Sequence, residues 1–173
     1  MSDALNNPPA NGANTFDRAL ERGLANRLTL IVGPDAHARN QELNDWLASL
    51  GHESLRIHCS PEDDPRACPE RIVEAFASAG IIEPVTEAIE SADDCLEHLV
   101  QLMNCLAAFP GELVVVLLDY RPCEQVDQVL SFILEHLPQQ VHLYLLSEDV
   151  PGLSCIPRLR VRRQLQMIET SAD

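Results

Sequence analysis

The chain has 173 residues, of which 46% are hydrophobic, and its 27 acidic residues against 12 basic ones give a formal net charge of −15. This length and composition are typical of one globular domain, and the negative charge argues against direct binding to nucleic acid or to an anionic membrane. All 12 basic residues are arginines, so the chain has no lysine for phosphate binding, Schiff-base formation or general-base catalysis.

The amino-terminal segment, residues 1–15, is rich in Asn, Pro, Ala and Gly and is predicted to be a disordered tail. It lacks the basic and apolar regions of a signal peptide, and no apolar run in the sequence reaches membrane-spanning length. The six cysteines include no C-x-x-C pair, which favours free thiols in a reducing compartment. We therefore expect a cytoplasmic protein in which residues 16–173 form a single domain.

Helical and extended patterns alternate along the rest of the chain. Five segments have the apolar spacing of amphipathic helices: 16–24, 40–50, 71–79, 93–108 and 126–137. Five others have the pattern of strands: 28–32, 55–59, 113–118, 141–146 and 158–168. In helix 93–108, the spacing assigns the apolar face to Leu96, Val100, Met103, Leu106 and Ala107. Strands alternating with helices predict a three-layer α/β/α domain with a mostly parallel sheet.

The strand at 28–32 is followed by Gly33 and then by a helix, which is how phosphate-binding loops are built. The phosphate-binding pattern G-x-x-x-x-G-K-[ST], aligned on Gly33, requires Gly, then Lys, then Ser or Thr at the last three positions. The chain has Ala38, Arg39 and Asn40 there. The sequence therefore keeps the frame of such a loop without its phosphate and magnesium ligands.

Three stretches of the chain carry a family resemblance. They are RALERGLANRLTLIVGP, then LVVVLLDY with the later LEHLPQQVHLYLLSED, and finally IPRLRVRRQLQMIETSAD. They resemble the nucleotide-binding domain of the MalT-like, ATP-dependent LuxR-type transcription regulators, a branch of the STAND P-loop NTPases. The resemblance implies a P-loop NTPase-like fold with a five-stranded sheet in the order 5-1-4-3-2 and helices on both faces.

The resemblance also implies that the Walker A loop is degenerate. Where the family has its two later glycines, this chain has Ala36 and Ala38. The phosphate-binding lysine is replaced by Arg39, which is bulkier and not equivalent, and the magnesium-binding hydroxyl is replaced by Asn40. Asp35 adds a negative charge where phosphates would lie.

The Walker B strand and the sensor position differ from the family in the same direction. The first of the two family acids falls on Leu118, which leaves Asp119 in the place of the second. The expected sensor arginine is Glu148. Because phosphoryl transfer depends on electrostatic positioning by such groups, we expect no ATP hydrolysis and no enzymatic activity. No catalytic residue and no metal ligand is predicted.

The vestigial nucleotide site is predicted to consist of Gly33, Pro34, His37, Arg39, Asn40 and Asp119. No cofactor is expected, and the alternative is a sensor that binds ATP or ADP there without turnover. Arg39 is expected to pair with Asp35 or Asp119, with anion binding as its alternative role. Asp119 itself is interpreted as a solvated carboxylate at a strand end, or as a group that orients a water.

The expected function is a regulatory protein-interaction module in transcriptional control. The partner would be an intact MalT-like regulator or a second copy of the chain, with no direct contact to nucleic acid or membrane.

Two other clusters have open interpretations. A zinc site could be built from His58, Cys59 and Cys68, although no fourth ligand is apparent. The four arginines between positions 158 and 163 form either a solvated or salt-bridged strand face or a contact for an acidic partner.

Overall fold

The computed structural model describes residues 15–59, 67–84 and 91–171, which form one sheet with helices on both faces. The strands are β1 (Leu28–Val32), β2 (Glu53–His58), β3 (Leu113–Leu118), β4 (Val141–Ser147) and β5 (Leu165–Glu169). The helices are α1 (Thr15–Gly23), α2 (Asn40–Leu50), α3 (Ala67–Ser78), α4 (Ala92–Ala107), α5 (Glu124–His136) and α6 (Ile156–Val161). The predicted tail lies outside the described residues, apart from Thr15. No helix in the described ranges is long and apolar enough to cross a membrane.

All five strands run parallel in the order β2-β3-β4-β1-β5, which confirms the predicted order 5-1-4-3-2 read from the other side. The three central strands are buried along their whole length, as expected for apolar strands covered on both faces. Because the strands are parallel, their carboxyl ends all meet at one end of the sheet. We call this the carboxyl end of the sheet and the opposite one the amino end.

Two apolar cores cover the two faces of the sheet. On one face, α1 and α2 pack against the strands through residues such as Phe16, Leu43 and Trp46. Trp46 lies tilted against Tyr144 with ring centroids 5.6 Å apart, and the Tyr144 hydroxyl donates to the Leu20 carbonyl at 2.8 Å. Residues of α3, α4, α5 and α6 form the core on the other face. The three-layer α/β/α prediction is therefore confirmed.

The buried face of α4 differs from the predicted one. Leu96 and Val100 are 48% and 44% exposed, and Ala107 is exposed as well. Leu99 and Leu102 are buried in their place, together with the other two predicted residues. Two apolar stripes overlap on this helix, and the positions of α3 and α5, on which α4 packs, select one of them. The sequence of α4 alone does not determine which of the two stripes is buried.

The segment predicted as one long strand at 158–168 is a short helix followed by a strand. Pro157 lies in the first turn of α6, where its fixed φ favours a helix, and the flanking Ile156 and Leu159 are both buried. The helix ends in a turn at Arg163, whose φ is 56°, before β5 begins. The prediction was wrong because Leu159 and Val161 mimic a strand alternation, whereas Val161 is 84% exposed.

Candidate functional site

The loop between β1 and α2, residues 33–39, starts between the carboxyl ends of two neighbouring strands. The Gly33 N–H donates to the Ser147 carbonyl at the end of β4 (3.1 Å), and the Thr170 N–H donates to the Val32 carbonyl (2.7 Å). Gly33 has a φ of 138°, and a Cβ added there would overlap the carbonyl oxygen of Thr170. The backbone packing of the sheet therefore requires this glycine, whether or not a phosphate binds.

The loop uses its own carbonyls as hydrogen-bond acceptors. Three N–H groups donate within it: Ala36 to Gly33 (3.0 Å), Arg39 to Asp35 (3.1 Å) and Asn40 to His37 (3.2 Å). A phosphate-binding loop holds such N–H groups open towards its ligand. In this conformation, these three groups would have to release their acceptors before they could bind a phosphate.

Two positions that carry ligand-binding groups in the family pattern are apolar and buried here. Ala36 is 0% exposed and packs in the core beneath α1 and α2. Leu118, in the place of the first Walker B acid, belongs to the same core. A methyl group and an isobutyl group thus occupy positions where a phosphate site needs bare backbone and a carboxylate.

Arg39 is turned towards α1 and α2. Its guanidinium is 2.7 Å from the Glu42 carboxylate and lies 5.5 Å from the centre of the Phe16 ring, a distance suited to a cation–π contact. Among the described residues, its carboxylate partner is Glu42, so the predicted pairing with Asp35 or Asp119 is wrong. The reason is local, because residues three apart on a helix face each other.

The remaining loop residues offer little to a ligand in this conformation. Pro34 and His37 are exposed on the loop. The Asn40 side chain begins α2, and its Oδ1 is buried without a hydrogen-bond partner among the described residues. The predicted residues Gly33, Pro34, His37, Arg39 and Asn40 therefore share one loop and helix start.

Asp119 lies apart from that loop and has a different partner. It follows β3 with a φ of 57°, a left-handed conformation that Asp tolerates better than most residues. Its carboxylate is 3.0 Å from His58 Nδ1 at the end of β2, and both side chains are more than half exposed. Since β4 lies between β1 and β3, the ends of these two strands are about 10 Å apart. The histidine contact was not predicted, although adjacent parallel strands place their last residues side by side.

A metal site is not formed by the described side chains. No group of three or more His, Cys, Asp or Glu in those ranges is placed to hold an ion. Of the three residues considered for zinc, His58 contacts Asp119, Cys59 is half-buried after the end of β2, and Cys68 lies outside the described side chains.

A cleft of about 430 Å³ opens between the start of α5 and the loop after β4. Its walls include Cys123, Glu124 and Asp127 from the α5 side and Gly152 from the loop. The Tyr120 hydroxyl donates to Asp127 at 2.5 Å, and burial together with this carboxylate raises the pKa of Tyr120 above its usual range. Two carboxylates in the wall make the cleft unsuited to a phosphate group. Sequence reasoning did not identify this cleft, although the acidic start of α5 directly after β3 was visible.

No protein-family model matches the chain. In sequence, the chain is similar to two proteins that are both described as the HTH-type transcriptional regulator MalT. It is 28% identical over 151 residues to the protein of Cronobacter sakazakii and 30% identical over 165 residues to that of Yersinia enterocolitica. The alignments cover 80% and 86% of this chain but only 16% and 17% of the relatives, so the chain spans about a sixth of their length.

In structure, the chain is similar to chains of Drosophila ORC bound to AT-rich DNA and Cdc6 (TM-score 0.61) and of Drosophila ORC bound to DNA (TM-score 0.59). Both are 11% identical to it; the alignments cover 89% and 91% of this chain and 52% and 90% of those chains. At this identity the likeness shows the fold alone. The sequence relatives and the shared fold together support a P-loop NTPase domain of the MalT-like type.

Proposed function

We propose that the chain acts in transcriptional control as a regulatory module that binds proteins, and that it does not hydrolyse ATP. Its sequence relatives are transcription regulators. The observation that carries the proposal is the inward arrangement of the loop after β1. Three of its N–H groups donate to its own carbonyls, Ala36 lies in the core, and Arg39 contacts Glu42 and Phe16.

The chemistry of phosphoryl transfer supports the absence of hydrolysis. The reaction needs cationic groups and Mg²⁺ to neutralise charge that develops on the phosphoryl oxygens. Asn40 and Leu118 stand where the family pattern has its metal-binding groups, and the exposed Glu148 adds a negative charge at the sensor position. Each of these replacements removes attraction for the transition state or adds repulsion.

The proposed partner is a protein, either an intact MalT-like regulator or a second copy of this chain. A net charge of −15 opposes binding to the phosphates of DNA, which supports a protein partner over nucleic acid. We place the function in the cytoplasm, where thiols stay reduced. Cys95, Cys105, Cys123 and Cys155 carry free thiols, which fits that compartment.

Two measurements on the purified chain test this proposal. The first is phosphate release from ATP with Mg²⁺, which is expected to stay at the background rate. The second is sedimentation of the chain alone and mixed with an intact MalT-like regulator, in which a complex is expected in at least one case. Magnesium-dependent turnover would contradict the first part of the proposal, and a monomer under both conditions would contradict the second.

An alternative is a sensor that binds ATP or ADP at the degenerate loop without turnover. The Arg39–Glu42 pair favours it, because the two side chains are 31% and 38% exposed. Pairs of this kind contribute only about 0–1 kcal/mol, so a phosphate at the start of α2 can compete for the guanidinium. A nucleotide that stabilises the wild type but not an Arg39→Ala variant would select this alternative.

A further inference from the structure

The cleft between the start of α5 and the loop after β4 has an acidic wall that no cation of the chain neutralises. Glu124 and Asp127 lie three residues apart on α5 and both line the cleft. No ion pair joins either carboxylate to an arginine or a histidine in the described ranges. Because the chain already carries a net charge of −15, the cleft attracts cations from solution.

Asp127 has one carboxylate oxygen engaged and the other open. Its Oδ1 accepts the hydrogen bond of the Tyr120 hydroxyl at 2.5 Å, which fixes the orientation of the carboxylate. Its Oδ2 forms no hydrogen bond with a described residue, and it lies 4.0 Å from the position that a Cβ on Gly152 would take. The open oxygen therefore faces the opposite wall of the cleft at a residue that has no side chain.

A buried hydroxyl without a strong partner lines the same wall. Ser131 lies one turn beyond Asp127 on α5 and is 6% exposed, and its Oγ has no hydrogen bond of good geometry within the described part of the chain. The buried Cys155 thiol lies near it, but a thiol is a weak hydrogen-bonding group. An unsatisfied buried hydroxyl costs stability, and a bound ion, water or ligand is the usual explanation for one. This observation is independent of the acidic wall.

The size and the remaining lining of the cleft suit a small organic molecule. Pro122, Cys123 and Gly152 supply carbon and sulfur surface beside the carboxylates, and Ser154 adds a hydroxyl. The volume of about 430 Å³ falls within the range of about 300–1,000 Å³ that is usual for small-molecule sites. Hydrogen-bond acceptors next to apolar surface fit an ion that has a charged head and a short carbon chain.

The acidic start of α5 also has a structural role, because carboxylates in the first turn of a helix interact favourably with its dipole. That role accounts for negative charge at positions 124 and 127, but it does not account for the cleft in front of them or for the buried Ser131 hydroxyl. The dipole also leaves most of the charge in place, since a helix start is equivalent to about half of one elementary charge.

We propose that this cleft binds a small aliphatic amine in its protonated form. The ammonium group donates to Asp127 Oδ2, to the Glu124 carboxylate and to Ser131 Oγ, because it has three donors and no acceptor. The carbon chain lies against Pro122 and Cys123. A metal ion fits less well, since no three ligands in the described ranges are placed to hold one. The site is separate from the loop after β1, and the inference does not depend on the proposed function.

Titration of the isotope-labelled chain with n-butylammonium chloride tests the site by nuclear magnetic resonance. The amide resonances of residues 123–131 and 152–154 are expected to shift, with a dissociation constant of about 1 mM, which is within reach of so small a ligand. n-Butanol has the carbon chain without the charge, and tetramethylammonium has the charge without an N–H donor. Each of these two compounds is expected to bind about tenfold more weakly or not at all.

Asp127→Asn removes the charge that faces the cleft but keeps an oxygen that can accept from Tyr120. The dissociation constant of n-butylammonium is expected to rise about tenfold or more, because a charge-assisted hydrogen bond is lost. Asp149→Asn is the matched control, since it removes the same charge from an exposed carboxylate of the loop after β4 that does not line the cleft. It should change the dissociation constant by less than about twofold, because solvent and salt screen this charge. Ser131→Ala should raise it about three- to tenfold.

Gly152→Val blocks the cleft without a change of charge. The backbone of Gly152 is outside the left-handed region and a Cβ there meets only Asp127 Oδ2 at 4.0 Å, so the new side chain is tolerated by the fold. Because it enters the space in front of that oxygen, it is expected to abolish binding of n-butylammonium. Melting temperatures check that all the variants fold.

The proposal is overturned if n-butylammonium shifts no resonance of the cleft at about 50 times the expected dissociation constant, or if tetramethylammonium or n-butanol binds equally well. It is also overturned if Asp127→Asn and Asp149→Asn weaken binding equally, or if Gly152→Val binds like the wild type.

A lysine residue of another protein also carries an alkylammonium group, so Nα-acetyl-lysine amide is titrated in parallel. Weaker binding of this compound than of n-butylammonium is expected for a cleft that takes a free amine. Tighter binding would assign the cleft to a lysine side chain and overturn the proposal. None of these outcomes changes the expected results for ATP turnover or for the protein complex, so the proposed function is tested separately.

Discussion

The loop after β1 and the turn at residues 160–163, which we call the arginine corner, hold arginines in opposite surroundings. In the loop, Arg39 is paired with Glu42 and lies against Phe16, and the loop N–H groups donate to loop carbonyls. In the arginine corner, three guanidinium groups are exposed with no ion pair to the described residues. The first region directs its polar groups inward and has become part of the fold, whereas the second directs its charge towards solvent.

This difference separates fold from function in a P-loop scaffold. A phosphate site needs N–H groups and cations that are held open for a ligand, and holding them open costs stability. Once the loop closes on itself, those groups stabilise the domain. The proposed binding of a protein partner would then use another surface. Four tests examine whether the loop and the residues around it are structural, and they are ordered from the largest expected effect to the smallest.

Gly33→Ala is expected to have the largest effect. The added Cβ would overlap the Thr170 carbonyl oxygen, and the φ of 138° is strained for alanine, so the free energy of unfolding should fall by about 3 kcal/mol or more. Gly51→Ala is the matched control, because Gly51 has a φ of 68° with nothing within 4 Å of the new Cβ. That control should lose only about 1–2 kcal/mol in urea unfolding. Equal losses in both variants would show that the loop is not wedged between the strand ends.

Ala36→Gly restores a glycine of the family pattern but removes a buried methyl group. It should lower the free energy of unfolding by about 1–2 kcal/mol, from lost apolar burial and from the added freedom of the unfolded chain. Ala38→Gly, at an exposed position in the same loop, should lose only the entropic part of about 0.5–1 kcal/mol. An Ala36→Gly variant as stable as Ala38→Gly would mean that the Ala36 methyl does not support the core.

The alkaline titration of Tyr144 tests how deeply its hydroxyl is buried in the core beneath the loop. Burial raises the pKa of its hydroxyl above the usual range, so the folded state favours the neutral form. The resulting stability is present below about pH 10 and is lost as pH rises above the unfolded pKa. Tyr144→Phe should lower the free energy of unfolding by about 1 kcal/mol at neutral pH. It should also reduce the fall of this free energy above pH 10. Both effects are measured by urea unfolding at each pH. An unchanged alkaline slope would show that this hydroxyl is not buried as described.

The His58–Asp119 contact is expected to have the smallest effect. Both side chains are more than half exposed, so His58→Gln or Asp119→Asn should change the free energy of unfolding by about 1 kcal/mol or less, and less still in high salt. Asparagine also tolerates the left-handed backbone at position 119. A loss above about 2 kcal/mol would indicate a structural or catalytic role for Asp119 that its exposure does not suggest.

The sheet could be predicted because its signals are local and strong. The LVVVLL run specifies a buried parallel strand without reference to the rest of the chain, and the structure confirms β3 at Leu113–Leu118. The strand order came from the family resemblance, since no local pattern states which strands are neighbours. The loop substitutions at Ala36, Arg39 and Asn40 could be read directly, but the hydrogen bonds by which the loop closes could not.

The errors arose where tertiary contacts decide between two local patterns. On α4, the overlapping apolar stripes left the buried face to be selected by α3 and α5, so that Leu96 and Val100 are exposed. At α6, the proline-led helical turn was missed because apolar residues also alternated there. Arg39 was expected to pair with Asp35 or Asp119, whereas it pairs with Glu42, one turn along the helix. The arginine corner follows from the second of these corrections, since only the helix places Val161 in solvent.

The proposed function depends most on whether the loop after β1 still holds nucleotide. The direct measurement is a thermal melt of the purified chain with ATP, ADP and GTP at about 1 mM, each with and without Mg²⁺, beside inorganic phosphate. A ligand present at about 100 times its dissociation constant adds about 2.7 kcal/mol of stability, which is a shift of several degrees for a domain of this size. No shift of the melting temperature is expected with any nucleotide. A clear shift that does not need Mg²⁺ and disappears in Arg39→Ala would contradict it and establish the chain as a nucleotide sensor.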